Sequence, residues 1–272
     1  GSPNQHIAKV DADSDYTKAL KKIDVIVHCA ARVHIMADKS ENPIDEFRAV
    51  NTQGTLNLAT QAARARVKRF IFVSTIKVNG ESTTGRAPFN EQENAPADPY
   101  GISKAEAEQK LLALGQQTGM EIVIIRPPLV YGKGVKANFA SLMSLVNKGF
   151  PLPFRAINKN KRSLVSVYNL VDLIKVCIQH PNAVNQVFLV SDDHDLSTAE
   201  MIRLMAKVQG KSNLALPVPP TLFSLAGSLL GKKQVVDRLI GSLQVDITHT
   251  KNTLNWAPPY SVEDGFKFSA KN

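Results

Sequence analysis

Tyr100 and Lys104 stand four residues apart in the run YGISK, which opens a segment of helical spacing. On a helix two such side chains share one face, about 6 Å apart along the axis. A free tyrosine, with a pKa of about 10, is a poor base at neutral pH, but a neighbouring ammonium favours the phenolate. The pair therefore reads as a general acid/base in which lysine activates tyrosine. Alone the spacing is weak, because a pattern with two fixed positions recurs by chance as an ordinary surface pair. Ser74 and Thr75 change its weight, since they close the apolar run 69–75 (RFIFVST) that precedes this helix. Open parallel sheets bind ligands at strand C-termini, where a hydroxyl can hold an alcohol or carbonyl while tyrosine exchanges its proton. Strand capping is the plainer reading of Ser74 and Thr75 by themselves; with Tyr100 and Lys104 they predict acid/base chemistry on a carbinol.

The elements that must position these residues alternate between strand and helix, the pattern of a parallel sheet covered on both faces. Residues 23–31 (IDVIVHCAA) read as a doubly buried parallel strand. His28 on it is assigned to packing, because no second ligand stands at metal-binding spacing. Asn42-Pro43 reads as an N-cap and first helical residue, opening a long helix to about residue 66. Strands at 69–75 and 121–126 (EIVIIR) flank a helix over 100–119, and Pro127-Pro128 halts the second strand. Beyond Tyr131, helices are expected near 137–148, 169–179 and 198–208, with short strands near 163–167 and 186–190. Ser197 and Glu200 have capping-box spacing. From about Pro217 onward, prolines, a basic segment and a turn-rich tail suggest a small C-terminal lobe.

With 272 residues and 43% hydrophobic content the chain can bury a large core, which excludes a disordered protein. Cys29 and Cys177 both lie in apolar runs far from any CxxC spacing, so neither a disulfide framework nor a zinc site is expected and a reducing cytoplasm fits best. The apolar stretch 214–230 is interrupted by Pro217, Pro219 and Pro220. What remains is too short to cross a bilayer of about 30 Å and reads as a buried or partner-facing helix. A formal charge of +9 could serve nucleic acid, a membrane surface or an anionic ligand. The basic residues read as scattered over helix faces, with small clusters at Lys159, Lys161 and Arg162 and at Lys232 and Lys233. No aromatic-rich basic module accompanies them, so nucleic acid is not expected. A solvated surface is the plainer reading, and a diphosphate site at one cluster the sharper one.

Several runs occur in an order that resembles the extended short-chain dehydrogenase/reductase family, in its NAD-dependent epimerase/dehydratase branch. They are DVIVHCAA at 24–31, NTQGT at 51–55, FVST at 72–75, YGISK at 100–104, RPPLVYG at 126–132 and LNWAPPYSVEDG at 254–265. The resemblance implies an α/β fold with a Rossmann-like doubly wound parallel sheet and a small C-terminal substrate lobe. Residues 1–165 would form the NAD-binding domain, parts of 166–195 would return to the sheet, and 196–272 would be mainly the substrate lobe. It also implies roles. Tyr100 would be the acid/base, Lys104 would lower its pKa and hold the nicotinamide ribose, and Thr75 would orient the sugar hydroxyl. Ala30, Ala31 and Arg32 would line the cofactor through their backbone, with Ser74 and Pro127 also on that side. Asp11 matches the acidic position that faces adenine, although a loop carboxylate is an almost equal reading. Asn51 would organise the helix behind the site or be a buried, satisfied amide. Asn138 and Arg162 would hold the diphosphate of a UDP-sugar, arginine being suited to it by its planar fork. Tyr131 would pack near the nicotinamide or, more plainly, in the core. NAD is the implied cofactor, with NADP left open; no metal is implied, and a cytoplasmic homodimer is expected.

The implied activity is epimerisation of the UDP-glucose 4-epimerase type, in which sugar C4 is oxidised and reduced again. A UDP-4-keto-sugar reductase serving surface-polysaccharide synthesis is the alternative, and the run SLQVDITHTKNTLNW looks somewhat like that subgroup. A dehydratase fits less well, because Ile76-Lys77 stand where its acidic pair would follow the catalytic hydroxyl. The family's glycine-rich pyrophosphate turn has no counterpart: apart from Gly1, the first glycine is Gly54. An N-terminal βαβ unit is therefore expected to be missing, whether by an engineered boundary, which Gly1-Ser2 favours, by residues left off, or by natural truncation. A non-catalytic scaffold or sensor is the reading of another class.

Overall fold

The computed structural model describes residues 9–33, 42–135, 138–229, 231 and 233–270. Strand β1 (Val25–His28) is shorter than the apolar run that encodes it, and only His28 on it is buried. The expectation of a doubly buried strand is not met because, among the described residues, β1 pairs with a single neighbour. His28 itself packs in the core, its ring stacked on Phe72 and its Nε2 3.0 Å from the Thr55 hydroxyl.

Helix α1 (Pro43–Phe47) starts at the expected proline, but Asn42 takes no backbone N–H; it donates instead to the Asp45 carboxylate. The helix then widens into a π-helical stretch, Arg48–Gly54, and resumes as α2 (Thr55–Arg64). Such wide turns are rare and collect at functional sites. This one turns Asn51 and Thr52 into the interior.

Strand β2 (Arg69–Val73) leads through a short 3₁₀ turn, Ile76–Val78, to the long helix α3 (Pro99–Thr118). Helix α3 starts where Asp98 accepts the Gly101 N–H at 2.7 Å with Pro99 behind it, and stops at Gly119 in the left-handed region. Strand β3 (Glu121–Arg126) follows, then β4 (Leu129–Tyr131), α4 (Asn138–Asn147), β5 (Leu164–Ser166), α5 (Val167–Gln179) and β6 (Gln186–Leu189). Helix α6 (Thr198–Val208) opens on the full Ser197/Glu200 capping box. Helices α7 (Pro220–Leu229), α8 (Lys233–Ile240), α9 (Thr248–Leu254) and α10 (Val262–Ala270) complete the described chain.

The main sheet has the order β1-β2-β3-β6 with every pair parallel, and β4 and β5 form a second parallel pair. The period of two along a strand separates the core into layers. Phe70, Phe72, Ile122 and Ile124 meet Ala59, Ala62, Ala107 and Leu111 of α2 and α3 on one face. Ile71, Val123, Ile125 and Phe188 meet Leu173 of α5 and the C-terminal Leu254 and Trp256 on the other. This is a Rossmann-like doubly wound architecture. A further cluster joins α4, α6 and α10 around Tyr131. Gly265 makes that contact possible, because a Cβ there would stand 2.4 Å from the Tyr131 hydroxyl. Tyr131 is thus a core aromatic, its hydroxyl donating to Asp192 at 2.6 Å.

One charged pair is embedded between these layers. Arg126, at the end of β3, grips Glu108 of α3 through Nε and Nη2, the shortest contact being 2.6 Å, and both side chains are almost wholly buried. Its Nη1 donates to Asn79 Oδ1 and to the carbonyls of Glu91 and Glu93. Removing one member of such a pair strands a charge in the interior, at about 3–5 kcal/mol. We expect Arg126→Met to lower the unfolding free energy by about that amount in urea titrations, and Glu108→Leu added to it to recover a large part. Simple addition of the two single losses would show that the residues are not coupled.

Candidate active site

The site gathers at the C-terminal ends of β1 and β2. Thr75 is extended, stands two residues beyond the end of β2, and accepts the Lys77 N–H at 3.3 Å, capping the 3₁₀ turn. Ile76 N donates to the Pro127 carbonyl, so the candidate Pro127 holds this turn against β3. The first turn of α3 then packs on it. A Cβ at Gly101 would lie 2.8 Å from the Lys77 carbonyl, so only glycine lets the helix come this close. Tyr100 is carried by the same turn, beside the ring of Phe47.

Lys104, one turn on, is 1% exposed. Its ammonium donates to the carbonyl of Val73, the last residue of β2, at 2.8 Å and lies 3.7 Å from the centre of the Phe72 ring. Burial pulls its pKa down from 10.5 to about 7, against the opposing influence of Glu108 and Cys29. Tyr100 moves the other way: burial, helped by Asp98, pushes its phenol up to about 12. The expectation that Lys104 lowers the tyrosine pKa is therefore not met in the protein alone: desolvation and the Asp98 carboxylate both favour the protonated phenol.

Behind the pair lies a polar brace. Asn51 accepts the Arg32 N–H at 2.8 Å and donates to the Arg32 carbonyl and to the Ser103 hydroxyl, each at 3.0 Å. Thr52 donates to the Ser103 carbonyl, and Ser103 to the Tyr100 carbonyl. The π-helical stretch thereby ties the loop after β1 to the helix turn that carries tyrosine and lysine. Arg32 spends its backbone polar groups on Asn51, while Ala30 is exposed and Ala31 half-buried in the same loop. The Ser74 hydroxyl points into the core and donates to Glu108.

Asp11 and Arg162 are held by contacts of their own. Asp11 accepts hydrogen bonds from Ser14 and from the Asp13 N–H, which hold its carboxyl below the usual range. Arg162 donates to the carbonyls of Arg238 and Gly241 at the end of α8, and burial lowers its pKa. The segment 242–246 sews Arg162's neighbourhood to the loop after Thr75: Ser163 N donates to Leu243, and Phe89 N to Gln244. Asn138 begins α4, but its side chain lies outside the described residues. A groove of about 720 Å³ between residues 13–20 and α2 is lined by none of Thr75, Tyr100 and Lys104. Among the described residues no group of His, Cys, Asp and Glu is arranged to hold a metal ion.

Several supporting residues escape inspection of the sequence. Asp98-Pro99 carries the same N-cap signal as Asn42-Pro43 and could have been found by it. Glu108 and Arg126 could not, since nothing local marks two charges eighteen residues apart as buried partners.

The model of the NAD dependent epimerase/dehydratase family matches residues 3–191. A UDP-glucose 4-epimerase of Vibrio cholerae is 58% identical over 97% of this chain and 81% of its own length. Among solved structures, a UDP-glucuronic acid 4-epimerase from Bacillus cereus in complex with NAD is similar with a TM-score of 0.76 at 21% identity, over 95% of this chain and 76% of that one. A UDP-glucose 4-epimerase of Thermotoga maritima with UDP-glucose follows at 0.69 and 21%, over 91% and 76%. The structural likeness is one of fold.

Burial of Lys104 has a consequence for stability. The unfolded chain holds its lysine proton up to about pH 10.5, the folded chain only to about 7, so between these values the unfolded state binds more protons and stability rises with pH. We expect the thermal midpoint to climb from pH 7 to 9 and the Lys104→Met variant to lose this rise. Above that range Tyr100 and Cys177, both pushed up to about 12, act in the opposite sense.

Proposed function

The chain belongs to the NAD dependent epimerase/dehydratase family, and from that premise we propose that it is a nucleotide-sugar 4-epimerase acting on a UDP-hexose. The observation that carries this reading is the Lys104 ammonium, anchored on the Val73 carbonyl one turn from Tyr100, with Thr75 on the turn that Gly101 allows to pack beside them. Ammonium and phenol are suitable donors for the ribose hydroxyls of a dinucleotide, and the loop 29–32, fixed by Asn51, offers it a backbone wall; Asp11 is the candidate for the adenine side. When bound, NAD supplies a hydride acceptor able to return the hydride to either face of a sugar carbon.

The chain's own residues handle the proton. Thr75 hydrogen-bonds the 4-hydroxyl, and Tyr100 Oη takes its proton as the carbonyl forms and gives it back on reduction. A phenol held near 12 keeps its proton at neutral pH unless positive charge is brought beside it, and in this reading Lys104, one helical turn on, takes that part once the substrate is bound. Asn51, Thr52 and Ser103 keep the two side chains in register. Arg162, with donors left over from its carbonyl contacts, and Asn138 would meet the diphosphate. The lobe of α4, α6 and α10 would form the sugar side of the site. The reading includes a cytoplasmic homodimer and a role in supplying sugars for surface polysaccharide.

Lys77 favours epimerisation over dehydration. It follows Thr75 by two residues and is paired with Asp98 and Glu81, so no free carboxylate stands there to remove a second proton.

The test is incubation with UDP-glucose or UDP-galactose and NAD, followed by NMR. Interconversion of the two is expected, and Tyr100→Phe should slow it roughly 10²–10⁴-fold, the range for loss of an acid/base. Net reduction of a UDP-4-keto-sugar without interconversion would replace this reading by a reductase. Calorimetry showing binding of neither NAD nor UDP-sugar would replace it by a scaffold.

A further inference from the structure

Helix α7 contains no charged residue. It turns Phe223 toward Phe154 and buries Gly227, but its opposite side is open: Leu225 is 60% and Leu229 78% exposed, with Leu222 beside them. Val235 on the neighbouring α8 is 59% exposed. The apolar surface continues through Leu216, whose N–H donates to the Leu152 carbonyl, and through Leu214 and Phe150, which line one shallow cleft. Eight of the fifteen exposed large hydrophobic side chains among the described residues fall in the two stretches 145–150 and 214–235. Scattered apolar residues are ordinary on a protein surface, but a concentration of this kind marks a contact face.

The same part of the chain carries its positive charge. Residues 133–171 and 201–240 contain thirteen lysines and arginines and one acidic residue, Asp237, a balance of +12 where the whole chain has +9. The remainder is net negative. Lys233 and Arg238 are exposed on α8, which packs against α7.

We propose that the α7–α8 hairpin, with the adjoining end of α4, is a docking face for an anionic phospholipid bilayer. Leucines flanked by lysine and arginine meet both layers of such a surface, the acyl boundary and the negative headgroups. No described helix is long and apolar enough to cross the membrane, so the hairpin lies on it. Charge separates this partner from two others. A second copy of the face would set like charge against like, and a nucleic acid would satisfy the lysines but leave the leucines uncovered. The inference does not depend on the chemistry at Tyr100. The face adjoins the candidate substrate side, since the carbonyls at the end of α8 hold Arg162.

Sedimentation of the chain with vesicles tests it, using phosphatidylcholine alone and phosphatidylcholine mixed equally with phosphatidylglycerol. Binding to the mixed vesicles only, weakened by added salt, is the expected result. Lys233→Gln should reduce it about fivefold, the worth of one cation at a charged surface. The double substitution Leu225→Asp and Leu229→Asp should abolish it with the circular dichroism spectrum unchanged. Absence of binding to either vesicle, or equal binding to both, would overturn the proposal. So would a face that proves to be self-associating, seen as a dimer that the leucine substitutions dissociate without any vesicle binding.

Discussion

The buried pairing of Arg126 with Glu108 is the constraint on which the rest of the arrangement depends. It joins the last residue of β3 to the middle of α3 and reaches through Nη1 to the backbone of the loop that ends in Asp98. That aspartate caps α3 and so sets where its first turn begins. The Ser74 hydroxyl satisfies the same glutamate from the end of β2. Sheet, helix and loop are thus referred to one fixed point. A charge pair taken out of water contributes little net stability but is costly to break, which suits it to hold geometry.

A second brace works from the opposite side of α3. The π-helical widening brings Asn51 and Thr52 inward, and these two use the polar atoms of Arg32 and Ser103 on either side. A regular α-helix over the same residues would rotate them away from that gap. Local departure from ideal helix geometry is here a means of placing two hydrogen-bonding side chains, in keeping with the habit of π-bulges to mark functional sites.

The electrostatics of the centre run against stability. Lys104 and Tyr100 are both held in their neutral forms more strongly than in water, the lysine by a fall to about 7 and the tyrosine by a rise to about 12. Burial is the larger cause in each. A pair so arranged is poised to respond to charge brought next to it, and a site that must exchange a proton with a sugar hydroxyl needs that responsiveness.

Much of this was legible in the sequence. Buried strands announce themselves as short apolar runs, so β2, β3 and β6 fall where periodicity puts them; Tyr100 and Lys104 share a helix face by spacing alone; the Ser197/Glu200 cap and the ordered family motifs are equally local signals. Local signals cannot report what each element lacks on its other side. The run around β1 reads as doubly buried, yet it has one neighbour among the described residues and stays half-exposed. Ser74 reads as a site residue, and only the folded chain turns its hydroxyl toward Glu108. The apolar stretch before Lys233 reads as a buried or partner-facing helix, and only the fold separates the two: Phe223 packs on Phe154 and Gly227 is buried, while the leucines stay outside. Composition and period determined which segments are strands and helices and which residues can do chemistry. The tertiary structure decided which of those residues meet, because hydrogen bonds and ion pairs between distant positions, and the burial that shifts a proton's affinity, exist only once the layers have closed.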